Sequence, residues 1–216
     1  MRIYSLTRPV AAVLFDIDGT LYTNPDYVSF QVDVLIEELA RLSGRGVEAM
    51  REDIEHTRRC LAEAEGRTTT SLGNAMAAWG IDIETSVAWR KRLIDPSRFL
   101  EPDPKLAAAL GALADGGIRL AAVTNNPHAL GRATLRALGV ESCFSAVVGL
   151  DHTMKSKPAR EPYELAARLV GQPPERCLSI GDRYDVDLAL PLELGMGAIL
   201  VDGVEDLYGL PGLLLA

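Results

Sequence analysis

A chain of 216 residues that is 48% hydrophobic and 24% charged carries enough apolar material for one large domain, or for a core with a smaller insertion. Its formal net charge of -8 argues against a general nucleic-acid or anionic-membrane surface, since both demand a basic face. The same charge leaves room for a phosphorylated substrate, because one local lysine or metal ion outweighs a distant field.

Cys60, Cys143 and Cys177 are odd in number and widely spaced, with no CxxC pair, so three reduced and mostly buried thiols are expected. The amino-terminal apolar run follows Arg2 and Arg8 but is short and broken by Asp16. It reads as neither a secretory signal nor a membrane span, and a cytoplasmic location is expected.

Val10-Ala11-Ala12-Val13-Leu14-Phe15 predicts a buried strand, and it runs directly into Asp16-Ile17-Asp18-Gly19-Thr20-Leu21. Residues i and i+2 of an extended chain project to one side, so Asp16 and Asp18 are expected to share a small volume. Two such anions call for a cation between them, or for a division of labour in which one is ionised and the other carries a proton.

The pattern then turns helical. Val28, Val32, Leu35, Ile36, Leu39 and Leu42 recur at steps of three and four, as do Val47, Met50, Ile54, Thr57 and Leu61. Ser43-Gly44-Arg45-Gly46 separates the two helices, and residues 66–71 supply a run of potential caps. Shorter helices are expected over 71–79 and 84–93, so that 24–98 reads as an all-helical unit.

From Pro102 the rhythm is helix, then strand. Helices are predicted over 105–115, 130–138 and 163–170, each followed by glycine, and strands over 118–123, 144–148, 177–180 and 198–201. Such alternation means right-handed βαβ units and a parallel sheet covered on both faces, with the first strand belonging to it. Pro191 interrupts the last expected helix, which must therefore begin late or bend.

Ligands bind such sheets at the carboxyl ends of the strands. Those ends carry Asp16 and Asp18, then Thr124-Asn125-Asn126, then Lys155-Ser156-Lys157-Pro158, and finally Gly181-Asp182-Arg183-Tyr184-Asp185-Val186-Asp187. Acid pair, hydroxyl, lysine and acid cluster are all expected at one edge.

In these four motifs, in this order from residue 16 to residue 187, the chain resembles the haloacid dehalogenase-like hydrolase superfamily. The resemblance implies an α/β fold, a Rossmann-like doubly wound parallel sheet over 1–23 and 99–216, with an inserted all-helical cap over 24–98. It implies Asp16 as nucleophile, forming an aspartyl phosphate, and Asp18 as general acid and base. Gly19 would let the backbone approach the phosphate, while Thr124 and the Asn125 backbone N–H would hold its oxygens. Lys157 would balance the charge of Asp16 and phosphate; Lys155 competes for that role, but the Lys-Pro pair matches the family better. Mg²⁺ would be held by Asp16, the Asp18 carbonyl and Asp182. Asp187 or Asp185 would stand behind these ligands, with the preference for Asp187.

Family dehalogenases lack the second acid, so Asp18 favours phosphate transfer and a small phosphorylated metabolite as substrate. The wording through Tyr22 resembles the pyrimidine nucleotidase and phosphoglycolate phosphatase branches. A phosphomutase remains open, as does a binding module without turnover. His56, His128 and His152 show no ligand spacing, and Arg90-Lys91-Arg92 beside Trp89 reads first as a solvated helix face.

Overall fold

The computed structural model describes residues 1–6, 9–64, 66 and 70–216. These divide into two compact units, Met1–Pro25 with Asp95–Ala216, and Asp26–Ile94. In chain order come strands β1 (Arg2–Ser5) and β2 (Ala12–Phe15) and helices α1 (Pro25–Ser43), α2 (Val47–Ala64), α3 (Leu72–Ala78) and α4 (Ile83–Leu93). Then follow α5 (Pro104–Asp115), β3 (Arg119–Val123), α6 (His128–Ala137), β4 (Ala146–Val148), α7 (Leu150–Thr153) and α8 (Arg160–Leu169). The chain closes with β5 (Cys177–Gly181), α9 (Ala189–Glu193), β6 (Gly197–Leu200) and α10 (Leu210–Leu214).

The first unit holds a six-stranded sheet, among the described residues, in the order β1-β6-β5-β2-β3-β4. All pairings are parallel except that of β1 with β6. That antiparallel edge strand was not expected. Its sequence, Arg-Ile-Tyr-Ser, is mostly exposed and lacks the continuous apolar run by which the central strands announce themselves. β2, buried along its whole length, sits between β3 and β5. Ala12 and Leu14 share one face with Ala121, Val123 and Val148, and α8 covers that face with Tyr163, Ala166 and Ala167. The alanines at 12, 121, 166 and 167 let the helix lie close to the sheet between the larger side chains.

β2 leads to β3 and β4 on one side, and the chain returns to β5 and β6 on the other. The strand order therefore reverses beside β2, the place where open parallel sheets bind ligands. Pro191 falls in the first turn of α9, after a single π-helical turn over Tyr184–Leu188 has redirected the chain. The strand expected from residue 144 starts at Ala146, because a 3₁₀ turn, Glu141–Cys143, comes first.

The second unit is all-helical. Leu35, Ile36, Leu39, Met50, Ile54, Leu72, Met76 and Trp89 form its core. Val28 and Leu42, members of the same periodic stripe, are exposed near the ends of α1. Of the expected cap run, Ser71 accepts the Asn74 N–H at 3.1 Å to start α3, while 67–69 lie outside the described residues, as does Arg8. Arg92 is occupied within this unit: it donates to Glu38 at 2.5 Å. Hydrogen bonds from Arg41 and Arg92 hold the Glu38 carboxyl down at about 2. Trp89 belongs to the core, so the basic run is a bridged helix face. No helix among the described residues is long and apolar enough to cross a membrane.

Candidate active site

Register decides which side chains meet. Phe15, the last residue of β2, pairs with Ala122 of β3 and Ile180 of β5. The first residues past the ends of β2, β3 and β5 are Asp16, Thr124 and Asp182, which leave the sheet at the same edge. The Asp16 N–H donates to the Ile180 carbonyl at 2.8 Å, and the Thr124 N–H to the Val148 carbonyl at 2.9 Å, so each loop starts from a fixed backbone.

Lys157 reaches this edge from the segment between α7 and α8. Its Nζ donates to Asp16 Oδ1 and, at 2.7 Å, to Asp187 Oδ1. All three side chains are at most 3% exposed. Burial alone would lower the Lys157 ammonium's pKa, but the charges of Asp16 and Asp187 reverse the effect and hold it raised. Asp187 is pushed up by its burial despite the lysine beside it. Its Oδ2 accepts the Arg183 N–H at 3.1 Å, and its carbonyl accepts the Ser179 hydroxyl at 2.8 Å, so the π-helical turn is tied down at both ends of this residue. Asp185 stands outside the carboxylate trio, and Lys155 is exposed.

Asp18 has different company. Tyr22 donates its hydroxyl to Oδ1 at 2.6 Å, while Oδ2 accepts the Asn126 amide at 3.0 Å and the Thr124 hydroxyl at 3.4 Å. Thr124 also accepts the Asn126 backbone N–H at 3.0 Å. The hydroxyl expected to face phosphate is thus also a brace for the second acid. Asn126 and Tyr22 carry no role in the sequence reading. For Tyr22 a signal was present, since it lies four residues beyond Asp18 across a tight turn; Asn126 only ends the polar run after β3.

Asp182 completes the edge. Its carboxyl is raised to about 7, first by burial and then by the charges of Asp16 and Asp187. Its Oδ1 is buried without a hydrogen-bond partner, the Arg183 Nε standing off at 3.6 Å. Ligand oxygens of Asp16, Asp182 and Asp187 lie within 4.8 Å of one another.

The model of the haloacid dehalogenase-like hydrolases matches residues 10–192. The chain belongs to that family. It is 30% identical over 200 residues to the phosphoglycolate phosphatase of Shigella boydii, spanning 83% of this chain and 77% of that enzyme. Among solved structures, a HAD phosphatase from Thermococcus onnurineus superposes with a TM-score of 0.59 at 24% identity, over 88% of this chain and 85% of its own. A β-phosphoglucomutase from Clostridium difficile gives 0.58 at 16% identity, over 94% and 99%, a likeness of fold alone.

Enzymes of this family generally use a divalent metal, and the donor set here suits one. Three carboxylates face Lys157 and, 3.6 Å from Asp182, Arg183, which still leaves an excess of negative charge at a largely buried edge. Asp182 Oδ1, buried and accepting no hydrogen bond, lies in that excess. Oxygen-only donors select a hard cation such as Mg²⁺, Ca²⁺ or Mn²⁺.

Gly19 has φ +85°, and a Cβ there would lie 2.6 Å from Asp182 Oδ2. Asp182 therefore sits where only a glycine leaves it room. Gly19→Ala is expected to cost about 1–2 kcal/mol from the left-handed backbone alone, and to displace the Asp182 carboxylate as well. Chemical denaturation with and without added Mg²⁺ measures both, and a variant with native stability and native Mg²⁺ response would contradict the close approach.

Proposed function

We propose that this phosphatase hydrolyses small phosphate monoesters with Mg²⁺, through an aspartyl phosphate formed on Asp16. What carries the reading is the contrast between two acids two residues apart. Asp16 is buried against a lysine ammonium, whose positive charge faces the oxygen that would attack. Asp18 is held by two hydroxyls and an amide. A hydroxyl can donate or accept, so that setting serves both the protonated and the ionised carboxyl.

In the first half-reaction an Asp16 oxygen attacks phosphorus, the bond to the ester oxygen breaks, and Asp18 delivers a proton to that leaving oxygen. In the second, water attacks the aspartyl phosphate, Asp18 takes its proton, and phosphate leaves with Asp16 restored. Lys157 offsets the negative charge that Asp16 shares with the phosphoryl group throughout. The Asn125 backbone N–H would hold a non-bridging oxygen, and the Thr124 hydroxyl would hold another by turning its single proton away from Asp18. Asp16, Asp182 and the Asp18 carbonyl would hold the metal, which when bound screens the incoming anion from the carboxylates and polarises the phosphoryl group. Asp187 keeps Lys157 in place from behind.

The helical stretch 24–98, inserted between nucleophile and lysine in the chain, is the part we assign to substrate choice, and a cytoplasmic setting suits the three free thiols. Phosphoglycolate, named for the curated relatives, heads the substrates to try. The test is phosphate release from p-nitrophenyl phosphate and from a panel of phosphorylated metabolites, with Mg²⁺ and with chelator. Mg²⁺-dependent release is expected. Isomerised phosphosugar without free phosphate would indicate a mutase, and no turnover on any ester would leave a binding module.

A further inference from the structure

Asn125 does more than present its backbone. Its side chain crosses from the turn after β3 to the segment that carries Lys157, where Oδ1 accepts the Lys157 backbone N–H at 2.6 Å and Nδ2 donates to the Lys157 carbonyl at 3.4 Å. The amide can sit only this way round, since the flipped form would set donor against donor and acceptor against acceptor. Both backbone polar groups of one residue are thereby tied to one side chain.

That tie reaches across 32 residues to a segment whose other backbone hydrogen bonds are short-range, between Thr153 and Lys155 and from the Ala159 N–H to the Ser156 carbonyl. It lies between α7 and α8, follows Met154 at φ +54°, and runs on into Pro158, which has no N–H to anchor it. Yet from this segment Lys157 extends a long flexible stem to set its ammonium between Asp16 and Asp187. An ammonium is placed only as well as the backbone from which its stem departs. The same tripeptide holds Asp18 through Thr124 and Asn126, so a single turn fixes both the acid and the lysine.

We propose that Asn125 is a positioning residue that acts on the reaction through Lys157. The inference rests on the reading of Asp16 as nucleophile and Lys157 as its charge partner. A residue that merely stabilised the loop would lower the melting temperature, and its kinetic effect would not depend on whether Lys157 is present.

A double-mutant cycle separates the two. Asn125→Ala is expected to lower kcat for p-nitrophenyl phosphate by about tenfold to a hundredfold, with KM little changed. Asn125→Asp keeps an oxygen for the Lys157 N–H and should lose less. In a Lys157→Met background, measured under single-turnover conditions, the further loss from Asn125→Ala should all but vanish. The same loss in both backgrounds, or native kcat in Asn125→Ala, overturns the proposal. Should the alanine variant not fold, the aspartate variant runs the same cycle. A native chain without any phosphatase turnover would instead remove the reading beneath it.

Discussion

Asp16→Asn should abolish turnover while leaving the fold intact. Removing a covalent nucleophile commonly costs at least about 10⁴-fold in kcat, because no other group can accept the phosphoryl in its place. Stability should move the other way. Asp16 shares its edge with Asp182 and Asp187, and the repulsion among them helps push Asp182 up to about 7. The amide removes one negative charge from that group, and Lys157 keeps Asp187 as a partner at 2.7 Å. In chelator, the variant should therefore melt no lower than the native chain, as expected where a site is built for chemistry at the expense of stability. Steady-state phosphate release and a thermal melt on the same preparation check both halves. Turnover near the native level would show that another residue takes the phosphoryl group. A large fall in melting temperature would show that Asp16 serves mainly as a structural counterion for Lys157.

The central strands and the order of the strand-end residues were legible because the physics behind them is local. Ala12–Phe15 is buried on both faces and so spells a continuous apolar run, and parallel register then brings the residues after each strand to one edge. β1 was not legible, because an edge strand with solvent on one side carries no such run. Pro191 pointed to a helix that begins late or bends but not to the π-helical turn that precedes it, since nothing in the sequence counts hydrogen-bond rings. At the edge itself, the acids and the lysine stood out by type. Two of their supporters did not: the Asn126 and Asn125 side chains act across gaps of 108 and 32 residues. A polar residue after a strand is ordinarily a turn former or a helix cap. Only coordinates reveal that its amide reaches another loop.

The second large effect belongs to Lys157→Met, which should damage stability as well as rate. The ammonium is the direct partner of two buried carboxylates, and removing one member of a buried ion cluster costs about 3–5 kcal/mol because the others remain without compensation. Loss of its charge from the phosphoryl site should lower kcat by about 10²–10³. The stability deficit should depend on pH, and its sign follows from Asp187. Burial already raises the folded pKa of Asp187 above its unfolded value, and removing the lysine takes away the charge that opposed that rise. A carboxyl whose folded pKa is raised binds protons more tightly when folded, so stability falls as pH rises from the unfolded carboxylate range, about 4, through the folded pKa. The deficit of Lys157→Met relative to the native chain should accordingly be largest near neutral pH and shrink as Asp187 takes up its proton on acidification. Urea denaturation of both proteins in chelator at pH 7.5 and pH 5 measures it. A deficit that stays constant, or grows in acid, would mean that the lysine's four-carbon stem, filling space in the buried edge, matters more to the fold than its charge.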